Sequence, residues 1–501
     1  MTPLLLEGRK KIEISNPSTL EDAIRFFQGE SKSSATASSS SAPNNNGVNI
    51  HLSIRIRELL CQECHPLDED RLLDFIKLVT TTTTATADST SVRSTMKHIV
   101  SIHIDPTMIE RSLGSSTMQQ VSETLGRIPT LRFLTWDVNP QAELPNPVDC
   151  LRNLAHLLLS ARKLERLQCK GVWFGGTTKD FAKLANSLSE HPTLNLISFH
   201  TCQLADERQT LDDINPVLLA FSSIPQLQLL KLGCWAVPSV YTLIKEFHGG
   251  GAAEQAHLYP LSKVFSRSAL RSVHIRSDAL VCVASVKDCI RVEHLKVASV
   301  GFERSESQFL ADILSSSHQL LETLELSLDA GIVVTDIASH AYGVMRALQT
   351  NAALKGLRFS CLRLSNGLGI VSLLQTMLVS VLENGNTTLC HVEFSGISFR
   401  GMYANQVEMQ GKMNHYLKLN ELGRGDLCEM YNSNHSSTHW KQRNDTKHTS
   451  MATTKKWVDT LIAAKGDVPI LYYFLSQNPS LCCRVQNHVG KVVPPTKRRR
   501  M

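Results

Sequence analysis

The stretch from residue 194 to residue 204 reads LNLISFHTCQL, and it contains the pattern that decides the fold. Apolar residues stand at Leu194, Ile197 and Phe199, and Ile197 and Phe199 alternate with the polar residues Ser198 and His200. This alternation is typical of a short strand with one buried face. The strand therefore needs a neighbouring structure to cover its apolar side.

The same hexad, apolar-x-x-apolar-x-apolar, recurs ten times along the chain. Its first members are Ile99, Leu131, Leu164, Leu194, Leu227, Leu270, Val292, Leu321, Leu354 and Leu389. Segments with helical spacing lie between the hexads, for example Phe181, Leu184 and Leu188, with Thr178 and Ser305 as helix start signals. A strand and a helix about every 30 residues predict a stacked solenoid. The alternative is a doubly wound α/β sheet with ordinary crossovers, which ten matches to one template disfavour.

These hexads resemble the leucine-rich repeat of the ribonuclease-inhibitor-like type over about residues 96–400. Residues 194–204 match its L-x-x-L-x-L-x-x-N/C-x-L consensus, whereas Val172, Val300, Leu362 and Ile397 replace the Asn or Cys. Residues 416–424, 457–458 and 471–482 are similar to the C-terminal segment of expanded repeat families of unicellular algae. The resemblance implies an α/β horseshoe with a parallel concave sheet, outer helices and a cap at each end.

The domain organisation follows from where the repeat begins and ends. We expect residues 1–95 to form an N-terminal cap of degenerate strand–helix units, with a Ser-rich loop at 31–48 and a helix at 67–79 before a Thr/Ser-rich connection. About ten repeats fill residues 96–400. A C-terminal cap spans 401–490, with helices near 406–421, 453–464 and 467–477 and a polar loop at 431–452. Residues 491–501 form a basic tail. The repeat register between 233 and 290 stays open, because hexad spacings of 43 and 22 replace the usual 29 to 35 there.

Composition narrows the class of protein. The 501 residues carry a formal net charge of +6, which by itself does not point to nucleic acid. The mean hydropathy is −0.10, and the sequence has no long apolar run. Its start has only three consecutive leucines, which is too short for a secretory signal. These features predict a cytoplasmic or nuclear protein outside the membrane. In such a reducing compartment, most of the 13 cysteines are expected to be buried free thiols.

The short motifs favour no enzyme, cofactor or metal. Residues 61–65, CQECH, match a haem-attachment pattern, but there is no export signal, and zinc would need two further ligands nearby. Residues 424–426, RGD, are interpreted as a turn in the C-terminal cap. The chain has no phosphate-binding loop, metalloprotease or hydrolase signature, so no catalytic residue is assigned.

The intervening positions of the hexads are expected to point from the concave wall to solvent. The middle of this wall is basic with a few apolar residues, which suggests an acidic protein or peptide partner rather than nucleic acid. Acidic residues lie towards its ends, at Asp105, Asp137, Glu325 and Glu393. The candidate partner-binding residues are Phe133, Arg166, Lys170, Leu196, His200, Leu229, Lys231, His274, Arg276, His294 and Lys296.

The expected function is therefore a non-enzymatic scaffold for protein–protein interaction. The alternatives are a substrate-recognition subunit of a ubiquitin ligase and a regulator of a small GTPase. Residues 1–95 show no succession of helices like that of a ligase-binding module, and no functional residue of the GTPase regulators can be placed on this chain. The run Lys497, Arg498, Arg499 and Arg500 is a candidate nuclear-import signal, with a solvated tail as the other interpretation.

Overall fold

The computed structural model describes most of the chain. It describes residues 10–14, 17–28, 48–54, 69–84, 97–105, 115–138, 147–200, 203–204, 211–233, 260–267, 269–288, 291–316, 320–329, 331–332, 334–360, 367–395, 404–425 and 456–477. These residues fall into two compact units, 1–329 and 330–501. The haem-like motif at 61–65 and the basic tail, Lys497 to Arg500, lie outside the described residues.

Strands and helices alternate along both units. The strands are β1 Lys10–Ile14, β2 Val48–Ile54, β3 Lys97–Ile104, β4 Phe133–Asp137, β5 Arg166–Lys170, β6 Trp173–Phe174, β7 Leu196–His200, β8 Gln203–Leu204, β9 Leu229–Lys231, β10 Ser272–Arg276, β11 His294–Val300, β12 Thr323–Leu328, β13 Gly356–Ser360 and β14 His391–Ser395. The helices are α1 Pro17–Gln28, α2 Glu69–Thr84, α3 Ser115–Gly126, α4 Pro147–Ser160, α5 Thr178–Ser189, α6 Leu211–Ser223, α7 Pro260–Phe265, α8 Leu280–Ala284, α9 Arg304–Leu314, α10 Val334–Thr350, α11 Gly367–Glu383, α12 Ala404–Glu421, α13 at 456–463 and α14 Val468–Gln477.

The first unit contains an open, entirely parallel sheet. Its strands pair in the order β1, β2, β3, β4, β5, β7, β9, β10, β11, β12, while β6 and β8 form a separate short pair. The order of the strands in space thus follows their order in the chain. A doubly wound sheet would reverse its strand order at a switch point, so this order confirms a solenoid-like α/β repeat. The two N-terminal strands extend the same sheet, as expected for degenerate repeat units.

The helices of the first unit form one row on one side of the sheet. Each helix from α1 to α8 packs against the next helix in the chain. In β4, β5 and β10 the hexad residues are buried and the residues between them are only partly covered. Strands repeat at about 4.8 Å, whereas packed helices need about 8–10 Å. The helices of the row therefore need more width per repeat than the strands of the sheet do.

The second unit contains the parallel pair β13 and β14, with α10, α11 and α12 packed in succession. Its last two helices, α13 and α14, close over α12 through a buried cluster of Leu419, Trp457, Ala464, Ile470 and Phe474. The three helices expected in the C-terminal segment are thus present within a few residues of their expected bounds. Arg424 is buried, and its guanidinium donates to the carbonyl oxygens of Leu382 and Asn386, which gives this residue of the RGD triplet a structural role.

Buried asparagines connect successive strand–helix units in the second unit. Asn351 Oδ1 accepts hydrogen bonds from the N–H groups of residues 353 and 354, and Asn386 Oδ1 accepts them from residues 388 and 389. Asn386 Nδ2 donates to the Leu348 carbonyl at 2.6 Å, and Asn420 Nδ2 donates to the carbonyls of Asn386 and Leu389. The amides therefore satisfy backbone groups at the turns that lead into the strands, where an unpaired group would be costly.

Three local expectations need correction. Helix α2 continues to Thr84 and does not end at residue 79. Threonine is only about 0.5 kcal/mol per residue less favourable than alanine in a helix, so the threonine run does not stop it. Helix α9 is capped at Glu303, not Ser305, because the Glu306 carboxylate accepts the N–H groups of Gly301 and Glu303. Helix α5 likewise begins at Thr178 itself, with Thr177 as its cap.

Candidate protein-interaction surface

The side of the sheet opposite the helix row in unit one, here called the open face, presents side chains in aligned rows. Because the strands pair in register, equivalent positions of successive hexads become neighbours. The first row is Phe133, Arg166, Leu196, Leu229, Ser272, His294 and Thr323. The second row is Thr135, Gln168, Ser198, Lys231, His274, Lys296 and Glu325. The third row contains Asp137, Lys170 and His200, with Arg276 at the corresponding end of β10.

All eleven candidate residues thus lie on one face of consecutive strands. Their exposure is lower than the simple alternation predicts, since only His200 and His294 are exposed and the other nine are half-buried. Three further positions expected to face solvent, Ser101, His103 and Ser198, are buried. Neighbouring strands lie only about 4.8 Å apart, so side chains of the same row on adjacent strands cover one another.

Apolar residues occupy one end of the first row. Phe133, Leu196 and Leu229 are half-buried, and the Arg166 guanidinium carbon lies 4.9 Å from the centroid of the Phe133 ring. A guanidinium over an aromatic ring at this distance forms a cation–π interaction. The interaction holds Arg166 along the sheet and leaves a continuous strip of aromatic, aliphatic and guanidinium surface over four strands.

Asp137 neutralises part of the basic charge that the sequence predicts. Its carboxylate lies 3.0 Å from His103 Nε2 and 4.0 Å from Lys170 Nζ, on the strands at either side. Lys170 is therefore one member of a cross-strand ion pair. Arg276 has a comparable neighbour, because its Nε lies 3.9 Å from the Asp278 carboxylate.

The second row becomes basic at β9 to β11. Lys231, His274 and Lys296 are successive Cα partners, and Lys296 forms an ion pair with Glu325 on the next strand. Burial, reinforced by the charges of Lys296 and Lys231, lowers the pKa of His274 to about 4. His274 is therefore neutral at physiological pH. Burial and the Lys296 charge also lower the pKa of Lys231.

The two exposed histidines lie at different places on the open face. His294 Nδ1 lies 2.6 Å from the Thr323 hydroxyl on the adjacent strand. His200 is the register partner of Lys170 at the end of β7.

The sequence interpretation underestimates how closely acidic residues approach the basic ones on the open face. Asp137 and Glu325 were assigned to opposite ends of the wall, although each lies one strand away from a candidate lysine. The missing signal was present in the sequence, since equivalent positions of consecutive hexads become direct neighbours in a parallel sheet. A comparison of charges between consecutive hexads predicts both ion pairs.

The described residues contain four cysteines of known burial. Cys150, Cys169 and Cys282 are buried, and Cys390 is partly buried. No group of three or more His, Cys, Asp or Glu side chains is arranged to hold a metal ion in this part of the chain. None of the helices described has the length and apolar character to cross a bilayer. No protein-family model matches the chain, and no curated protein matches it significantly.

Proposed function

We propose that this chain is a leucine-rich-repeat scaffold of the ribonuclease-inhibitor-like type that binds a protein or peptide on the open face without chemical transformation. The observation that carries the proposal is the continuity of the rows. From β4 to β12, side chains of adjacent strands form an aligned strip that an extended or helical segment can follow. The proposed setting is the cytoplasm or the nucleus, with Lys497 to Arg500 as a candidate import signal.

The chemistry of the strip supports binding. Phe133, Leu196 and Leu229 supply partly exposed apolar area, and apolar and aromatic residues surrounded by polar groups are typical of interface hot spots. Gln168 and Lys231 lie in the second row next to them, and His294 lies two strands beyond Leu229 in the first row; all three side chains can form hydrogen bonds. A partner that covers the strip would gain from apolar burial and be oriented by the polar row.

The arrangement of titratable groups supports a role without catalysis. Catalysis by side chains needs a nucleophile, a base and a stabilising group that converge on one reacting atom. On the open face, His103 is paired with Asp137, and His274 lies between two lysines on neighbouring strands. The groups are thus distributed along the rows, one strand after another, as in a recognition surface.

A pair of matched leucine substitutions tests the proposal. Leu196 lies on the open face, whereas Leu159 is on helix α4 and is 42% exposed. With the full-length chain as bait, quantitative cross-linking should recover partners in wild type and in Leu159→Asp, and lose most of them in Leu196→Asp. Circular dichroism checks that both variants fold.

The opposite pattern would assign binding to the helix row. Equal recovery with both folded variants would remove the open face as the binding surface. A Leu196→Ala variant provides a milder second measurement, because it removes apolar contact area without introducing a charge.

A further inference from the structure

Several basic residues in the strands of unit one, or directly before them, have an acidic neighbour at the equivalent position of the adjacent unit. Arg271 Nη1 lies 2.8 Å from Glu293, and Arg132 Nη1 lies 3.5 Å from Glu165. Lys170 follows the same rule through Asp137. Opposite charges facing each other across strands stabilise a sheet, whereas like charges destabilise it.

The second row departs from this rule at β9 to β11. Lys231, His274 and Lys296 are consecutive Cα partners, so two lysines flank a histidine with no carboxylate between them in the row. Lys296 is compensated on its far side by Glu325. For Lys231, no ion pair with an acidic side chain is present among the described residues. The half-buried ammonium of Lys231 is therefore a positive charge of the second row that no described carboxylate balances.

His274 separates the two lysines without adding charge. Its Nε2 is buried and has no hydrogen-bond partner in the described part of the chain. The backbone of Gly233 lies against this ring, because a Cβ at Gly233 would overlap Nε2. Strand spacing places the backbones of Lys231 and Lys296 about 10 Å apart. Two flexible lysine side chains can converge on one small anion across that distance.

We propose that Lys231 and Lys296, held apart by His274, form a docking point for one aspartate or glutamate carboxylate of the bound partner. This inference rests on the proposed function and specifies the partner chemistry that the open face selects. Two lysines and Glu325 leave one net positive charge at the site, which one carboxylate balances. A phosphate dianion would place a second negative charge close to Glu325.

The neighbouring apolar residues define what must accompany the carboxylate. Leu229 precedes Lys231 by two residues on β9. The register partner of Leu229 on β7 is Leu196. Two residues along a strand span about 7 Å. A partner segment in extended conformation therefore presents an apolar residue two positions from its acidic residue, because those two side chains point to the same face.

Selection from a random octapeptide display library on the immobilised full-length chain tests this motif. Wild type should enrich peptides with an acidic residue two positions from an apolar one. Lys231→Gln should lose the acidic enrichment and keep the apolar one, and Lys231→Glu should shift the preference to lysine or arginine. Lys263→Glu, an exposed change on helix α7, is the matched control and should select as wild type does.

Each outcome separates this inference from the proposed function. Enrichment of apolar residues alone would overturn the carboxylate site and leave the scaffold function standing. Enrichment of no motif would refute both. A synthetic selected peptide gives a second measurement by fluorescence anisotropy, where replacement of its acidic residue by Gln or Asn should weaken binding about tenfold or more. Unchanged affinity, or stronger binding of a phosphoserine version, would also overturn the single-carboxylate site.

Discussion

Asp180 offers the most direct test of how this repeat unit is stabilised. Its carboxylate is only 2% exposed and accepts hydrogen bonds from Arg152 Nε at 2.8 Å, from the Thr177 N–H at 2.9 Å and from the Thr177 hydroxyl at 2.7 Å. Burial raises the pKa of Asp180, but the hydrogen bonds from Arg152 and Thr177 outweigh it and lower the pKa to about 2. We predict that Asp180→Asn destabilises unit one at pH 7.

The magnitude follows from the pKa difference. A fall from 3.8 to about 2 corresponds to about 2.5 kcal/mol, at about 1.4 kcal/mol per pH unit. Arg152 is 45% exposed and its attraction is screened, so we expect about 1–2 kcal/mol. Because the folded pKa lies below the unfolded one, this stabilisation is complete above about pH 5. It falls as the pH approaches 2, and about half is lost by pH 3.

Urea unfolding of full-length protein, followed by circular dichroism at pH 7, 5 and 3, measures this contribution. The difference between wild type and Asp180→Asn should be largest at pH 7 and 5 and should shrink at pH 3. Asp22→Asn, an exposed aspartate on α1, is the control and should remain within about 0.5 kcal/mol of wild type. If the difference between wild type and Asp180→Asn stays constant over this range, the charged carboxylate does not stabilise the unit.

Three further substitutions test other parts of the fold by urea or thermal unfolding. Leu324→Ala removes a core side chain that is 2% exposed and should lower the free energy of unfolding by about 2–5 kcal/mol. Leu320→Ala, at 46% exposure, is the control and should lower it much less. Equal losses would contradict the core assignment. Asn386→Ala leaves buried backbone groups unpaired and should cost about 2–4 kcal/mol; a neutral effect would mean that its hydrogen bonds are dispensable. Gly233→Ala should destabilise the protein by about 1–3 kcal/mol, because the new Cβ overlaps the imidazole of His274. In the double variant, His274→Ala should remove that destabilisation. If the double variant stays equally destabilised, the close approach of Gly233 to His274 is contradicted.

Much of the fold could be predicted from the ten hexads because they encode both the strand and its buried face. Leu134 and Leu167 are buried as the pattern requires, and each is paired with the equivalent position of the next unit. The predicted strand–helix character of the N-terminal segment also agrees, since β1 and β2 pair in parallel with the rest of the sheet. Periodicity succeeds here because every unit faces the same packing problem.

The parts that the sequence did not predict depend on contacts between units. The cap of α9 at Glu303 requires the Glu306 carboxylate to accept backbone N–H groups before the helix, which a search for Ser or Thr overlooks. The buried asparagines Asn351 and Asn386 are separated by 35 residues and act on turns, outside the hexad template. The binding role of the candidate residues stays a prediction. Their shared position on one face shows that a single partner could contact them together, but it does not identify that partner.

The boundary between β9 and β10 has an engineering consequence. Their register is continuous, with Leu229 opposite Ser272 and Lys231 opposite His274, although Leu229 and Ser272 are separated by 43 residues. The neighbouring first-row positions Leu196 and Leu229 are separated by only 33. Extra chain at this boundary is therefore compatible with unbroken pairing. An engineered array of such repeats can therefore carry connections of different lengths while neighbouring strands stay paired.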